Sequence, residues 1–236
     1  MIRYFKRAVP IGAILLFLGI GCTSVNKYIQ ADEVLNWEND IRVFDSLNAV
    51  EPITPATLLV TGSSSVRLWN TIHEDLDPYQ VMQRGYGGAK LTDFNYYAGR
   101  IIQPGTMKAI LVFVANDISG GEHDRTPREV FQLFKTLVEQ LRERNPGTPV
   151  CWIQTTPTPS RWHAIDQINK ANGLIRKYCE KNDDLHFIET YDAYMDQTGI
   201  PDSSLFRDDM LHLNRQGYEI WAELIKSNLK DSGIDP

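Results

Sequence analysis

The sequence predicts an α/β protein, a parallel sheet covered on both faces by helices. Three observations carry that expectation. Apolar runs without polar alternation recur at residues 58–60, 109–114 and 150–153, the pattern of strands buried on both faces. Segments with a helical apolar period separate them, which implies βαβ units, right-handed crossovers and a three-layer sandwich. The 236 residues, 42% hydrophobic and 23% charged, suffice for one such domain and have the composition of a folded globular chain.

The domain is expected to span residues 31–236. In residues 1–22, Arg3, Lys6 and Arg7 precede an apolar stretch at 8–20 that is too short to span a bilayer, and Gly21 and Cys22 follow. That order describes an export signal, so the protein is expected in the bacterial cell envelope or secreted. Gly19-Ile20-Gly21-Cys22 is similar to a lipoprotein cleavage site, with Cys22 as the lipidated residue; a plain cleaved signal or a short anchor is the alternative. Residues 23–30 read as a tether. A net charge of −6, without clustered Lys and Arg, excludes nucleic acid as a partner, and contact with a membrane is expected only through the N-terminal anchor.

Each element then has its own signal. Val34, Trp37, Ile41 and Phe44 mark an amphipathic helix over 31–48, ended by Pro52 and Pro55. The first strand, with Leu58, Leu59 and Val60, stops at Gly62 and three serines, and a helix is expected to start at Val66. A second strand near 81–84 runs into Gly85-Tyr86-Gly87-Gly88, where three glycines in four residues require a turn or a close approach. A helix over 91–102 leads to the third strand, 109–114, and then Asn116-Asp117. Thr126-Pro127-Arg128-Glu129 is a capping box with proline at the first helical position, and Asn145-Pro146-Gly147 ends that helix. The fourth strand (150–155), a loop (157–162), a helix marked by Ile165, Ile168, Ile175 and Cys179, the fifth strand (185–190) and a last helix (215–229) complete the chain. Cys151 and Cys179 fall in a strand and a helix, and read as buried free thiols rather than a disulfide.

The polar clusters after the first three strands would converge on one sheet edge, where open α/β sheets bind ligands. Near the other terminus, Asp209 stands three residues before His212. An aspartate so placed can accept from Nδ1–H and leave Nε2 as a base. A serine, glycine-flanked backbone N–H groups, an asparagine amide and an Asp-His pair together fit acyl transfer. His73, His123, His163 and His186 lack any such arrangement. Glu122-His123-Asp124 has no second histidine at ligand spacing, so no metal is expected. Ser160-Arg161-Trp162 follows the fourth strand on the same edge, where Trp162 would either wall the substrate site or pack on the surface.

These blocks, in this order, resemble the SGNH (GDSL-type) hydrolase superfamily, in the branch whose first block reads GSSS, over residues 36–229. The resemblance implies a flavodoxin-like five-stranded sheet in the order 2-1-3-4-5 and a Ser-His-Asp esterase without a cofactor. Carried over, the nucleophile falls on Ser64, the second oxyanion donor on Gly88 (Gly87 if the register shifts by one), the third on Asn116, and the last block on Asp209 and His212. Ser63 replaces the usual aspartate, and Val114 replaces a glycine, so the turn holding Asn116 is expected to differ from the family's. The implied substrate is a small-molecule or glycan ester, with short acyl groups favoured because no apolar insertion offers a tunnel or lid. Lysophospholipase or thioesterase chemistry belongs to the same family. A binding lipoprotein with a relic triad and a phosphate- or flavin-binding module are the competing classes, the latter because a Gly/Ser loop before a helix also cradles phosphate.

Overall fold

The computed structural model describes residues 34–236. The expected export segment, its Cys22 and the tether lie outside the described residues. Five strands, β1 (Thr57–Gly62), β2 (Gln80–Gly85), β3 (Ala109–Phe113), β4 (Val150–Ile153) and β5 (Leu185–Ile188), form one parallel sheet in the order β2-β1-β3-β4-β5. Among the described residues they are accompanied by the α-helices α1 (Glu38–Val50), α2 (Ser64–Arg67), α3 (Ile72–Asp75), α4 (Leu91–Ile101), α5 (Pro127–Arg144), α6 (Ile165–Cys179) and α7 (Arg215–Asp231). None of them is long and apolar enough to cross a membrane.

Alternation along the strands builds two cores. Leu59, Ile110, Val112 and Trp152 face α1, α4, α5 and α6, while Leu58, Val60, Leu111, Phe113, Cys151 and Ile153 face α2, α3 and α7. Every residue of β1, β3 and β4 is buried, so the period-two polar pattern of a one-sided sheet is absent. Cys151 and Cys179 are buried free thiols, and burial pushes both up to about 12.

Most boundaries shift by one or two residues, and three differences are of another kind. The helix expected over 31–48 is interrupted: Val34 and Leu35 are helical, residues 36–37 form a turn, and α1 runs from Glu38 to Val50 with Ile41 and Phe44 on its buried face. The helix after β1 starts at Ser64 itself, in place of Val66, and lasts one turn. Residues of the expected loop after β4 form a 3-10 helix, Pro159–Ala164, which leads directly into α6. The α5 capping box forms as read: Thr126 Oγ1 accepts from Glu129 N–H and the Glu129 carboxylate accepts from Thr126 N–H.

The register brings the site together. Gly62 pairs with Gly85 on one side and with Phe113 on the other, so β1, β2 and β3 end level. Successive strands are added on one side of β1 (β2) and then on the other (β3 onward), and the switch point between β1 and β3 leaves a crevice at the carboxyl edge. Ser64 emerges there.

Candidate active site

At the end of β1, Gly62 has φ of 140°, and a Cβ there would overlap the Phe113 carbonyl. Glycine lets β1 run flush against β3 and then turn sharply. Ser63 N–H donates to that Phe113 carbonyl at 2.8 Å, and the chain enters α2 with Ser64 as its first residue. Ser63 is buried and Ser64 half-buried. Tyr218, from α7, donates its hydroxyl to Ser65 O at 2.8 Å and pins the turn from the far side.

His212 arrives on a turn that Asp209 folds. Asp209 Oδ1 accepts the backbone N–H groups of Leu211 and His212, each at 2.9 Å, and Oδ2 lies 2.7 Å from His212 Nδ1. Between them, Met210 takes φ of 55°, the one positive value at a non-glycine among the described residues. Its carbonyl accepts from Ser160 N–H at 3.0 Å, tying this turn to the 3-10 helix. Burial raises the Asp209 pKa, but bonds from the His212 side chain and from the two N–H groups outweigh it and hold the carboxyl at about 2. An ionised carboxylate only accepts, so Nδ1 carries the ring hydrogen and Nε2 is left as an acceptor. Ser64 Oγ stands 2.9 Å from that Nε2.

A narrow cleft with a cavity of about 30 Å³ opens on this line, walled by Ser64, His212, Asn116, Arg161, Phe113 and Leu211 among others. Asn116 Nδ2 donates to Ala89 O at 2.9 Å, which leaves its second hydrogen for the cleft. The next residue, Asp117, is buried and accepts Leu91 N–H at 2.9 and 3.2 Å, joining the loop after β3 to the start of α4. Burial pushes Asp117 up to about 6 against that bond and the nearby Arg125 cation. Gly88, at φ of 68°, is exposed beneath the edge of the Trp37 indole; neither it nor Gly87 is among the residues lining the cleft.

The structure therefore brings Ser64, Asn116 and His212, with Asp209 behind it, to one cleft from three distant parts of the chain. Trp162 is not on its wall. Three residues per turn in the 3-10 helix aim Arg161 inward and leave Trp162 partly exposed outside, so Arg161 is the residue the sequence reading missed. The signal available was its position beside Trp162 on the same sheet edge.

A model of the GDSL-like lipase/acylhydrolase family matches residues 57–220. The chain belongs to that family. It is thus a member of a hydrolase family, and no curated protein matches it in sequence. Among solved structures, a Streptococcus pneumonia chain provisionally assigned as a platelet activating factor is 17% identical, with a TM-score of 0.72 over 87% of this chain and 99% of that one. A GDSL-like lipase from Bacteroides thetaiotaomicron is 16% identical, with a TM-score of 0.67 over 81% and 98%. An acetyl esterase variant crystallised with an acetate ion is 14% identical, with a TM-score of 0.53 over 75% and 97%. At these identities the likeness is one of fold.

Proposed function

We propose that this protein is a serine esterase that hydrolyses short-chain carboxylic esters, acetyl esters of carbohydrates foremost. The observation that carries the reading is the unbroken line from Asp209 Oδ2 through His212 to Ser64 Oγ, with spacings of 2.7 and 2.9 Å, opening on the cleft.

Ser64 Oγ attacks the ester carbonyl carbon as its proton passes to His212 Nε2. Asp209, ionised throughout, stabilises the imidazolium. The oxyanion is held by Ser64 N–H and by the second hydrogen of the Asn116 amide; Gly88 N–H, the further donor that the family resemblance implies, sits outside the cleft lining, next to the Ala89 carbonyl that anchors Asn116. Collapse expels the alcohol, which takes the proton from Nε2 and leaves an acyl ester on Ser64. Water then gives a proton to Nε2, attacks that ester, and releases the acid and free Ser64. The residues complete this cycle with no cofactor.

Short acyl groups are favoured because the cavity beside Ser64 is only about 30 Å³, far below the roughly 300–1,000 Å³ typical of ligand pockets. That an acetyl esterase shares the fold agrees with this. Purified residues 23–236 should hydrolyse p-nitrophenyl acetate fastest in an acetate-to-decanoate series and should release acetate from acetylated xylo-oligosaccharides. A steady rise in rate with chain length would contradict the acyl preference, and ligand binding without any turnover would favour a binding protein. We further propose that the chain acts in the cell envelope, tethered through Cys22. Palmitate labelling in a bacterial host should be lost in Cys22→Ala.

A further inference from the structure

Arg161 is held in a way that stability does not explain. It is partly buried on the cleft wall, yet among the described residues no carboxylate lies within ion-pair distance of its guanidinium. Desolvation pulls its pKa down, with only the more distant Asp124 and Asp117 charges opposing. A cation partly removed from water with only neutral acceptors on it costs folding free energy. Both acceptors belong to the loop after β3: Nη1 donates to Ala115 O at 2.7 Å, and Nη2 donates to Asn116 Oδ1 at 2.6 Å.

The geometry points to Arg161 as a positioning residue that fixes the orientation of the Asn116 amide, and so aims its N–H as an oxyanion donor. This rests on the esterase reading above. A carboxamide can flip by half a turn at little cost unless its two ends meet different partners. Here Oδ1 meets a guanidinium, which only donates, and Nδ2 meets the Ala89 carbonyl, which only accepts. A flip would set donor against donor and acceptor against acceptor. The planar fork also spans a backbone carbonyl and the following side chain at once, which a lysine ammonium on a flexible stem does not reproduce. It thereby braces a turn made with Val114, buried and in an ordinary backbone conformation, where the family has glycine.

The test compares wild type, Arg161→Lys, Asn116→Ala and the double variant on p-nitrophenyl acetate, with thermal melts confirming that each is folded. Arg161→Lys should lower kcat by about 10- to 100-fold, part of the 10²–10³ that a lost oxyanion donor costs, with KM within about twofold. In the Asn116→Ala background the Arg161 change should have no further effect on kcat, because the group it orients is gone. Guanidinium ion, but not ammonium, should restore part of the rate to Arg161→Ala, which also serves if the lysine variant folds poorly. Equal slowing in both backgrounds would overturn the inference, as would a raised KM at unchanged kcat, which would make Arg161 a substrate contact. Nuclear magnetic resonance of the Asn116 amide hydrogens separates the two readings. A wild type without turnover sinks the esterase, whereas amide signals unmoved by Arg161→Lys sink the positioning role whatever the activity.

Discussion

At the residue scale, Asp209 does two things with two oxygens: Oδ1 folds the turn through two backbone N–H groups, and Oδ2 sets the His212 tautomer. Its carboxyl is held at about 2, below the ~3.9 of an unfolded aspartate, so its contribution to stability is present above pH 4 and is lost as pH falls toward 2. The group is half exposed, which keeps that contribution small. Asp209→Asn can keep the turn yet offers Nδ1 an amide that accepts only if correctly flipped, so its kcat should fall by several orders of magnitude, up to about 10⁴-fold, with a near-native melting temperature. Asn116→Ala should lower kcat by about 10²–10³-fold, roughly 3–4 kcal/mol, and leave KM close to wild type. Steady-state kinetics on p-nitrophenyl acetate check both. A KM change without a kcat change would mean that Asn116 holds substrate.

At the scale of elements, α1 lies ahead of the family-matched residues and the residue before it packs on the loop after β2. The Trp37 indole, just before its first residue, packs on Tyr86 with ring centroids 5.4 Å apart and sets its edge against the exposed Gly88. Trp37→Ala should destabilise the protein, by less than the ~3–5 kcal/mol of a fully buried tryptophan, and should lower kcat more than it raises KM. Denaturant melts and kinetics on the same samples separate the two effects. Thr126→Ala at the α5 capping box should cost about 1 kcal/mol with activity unchanged, a control for loss of stability alone. Strands β1, β3 and β4 were legible because burial on both faces removes most polar residues from them, and α5 because its cap and terminator are local chemistry. The 3-10 helix at Pro159–Ala164 was not, because its inward face is set by Ala115 and Asn116, some 45 residues away in sequence. That is why Trp162, the larger side chain, drew the assignment that belongs to Arg161. Likewise Val66 marked the first apolar helical position, while the helix starts at Ser64, whose place depends on Gly62 meeting β3.

At the scale of the molecule, the cleft is assembled across the sheet, and buried acids join its parts. Asp93 accepts Tyr86 O–H at 2.6 Å and Lys90 N–H at 3.0 Å; burial pushes it up to about 7, the Tyr86 bond opposing and the Asp117 charge adding. A carboxyl with a raised folded pKa stabilises most below its unfolded value, so this contribution should decline as pH rises from about 4 to 7 and then level off. Asp93→Asn should flatten that stretch of a stability-against-pH curve, and an unchanged slope would show that Asp93 is not the group responsible. The order of blocks along the chain conveyed that distant residues meet, while distances and amide orientations needed the packed sheet. The central claim is that Ser64 is a nucleophile activated by His212. Intact-mass and peptide mapping after reaction with a fluorophosphonate ester test it most directly. One adduct on Ser64, absent in Ser64→Ala and formed far more slowly in His212→Ala, is the predicted result; no adduct, or one on another residue of the folded wild type, would contradict it.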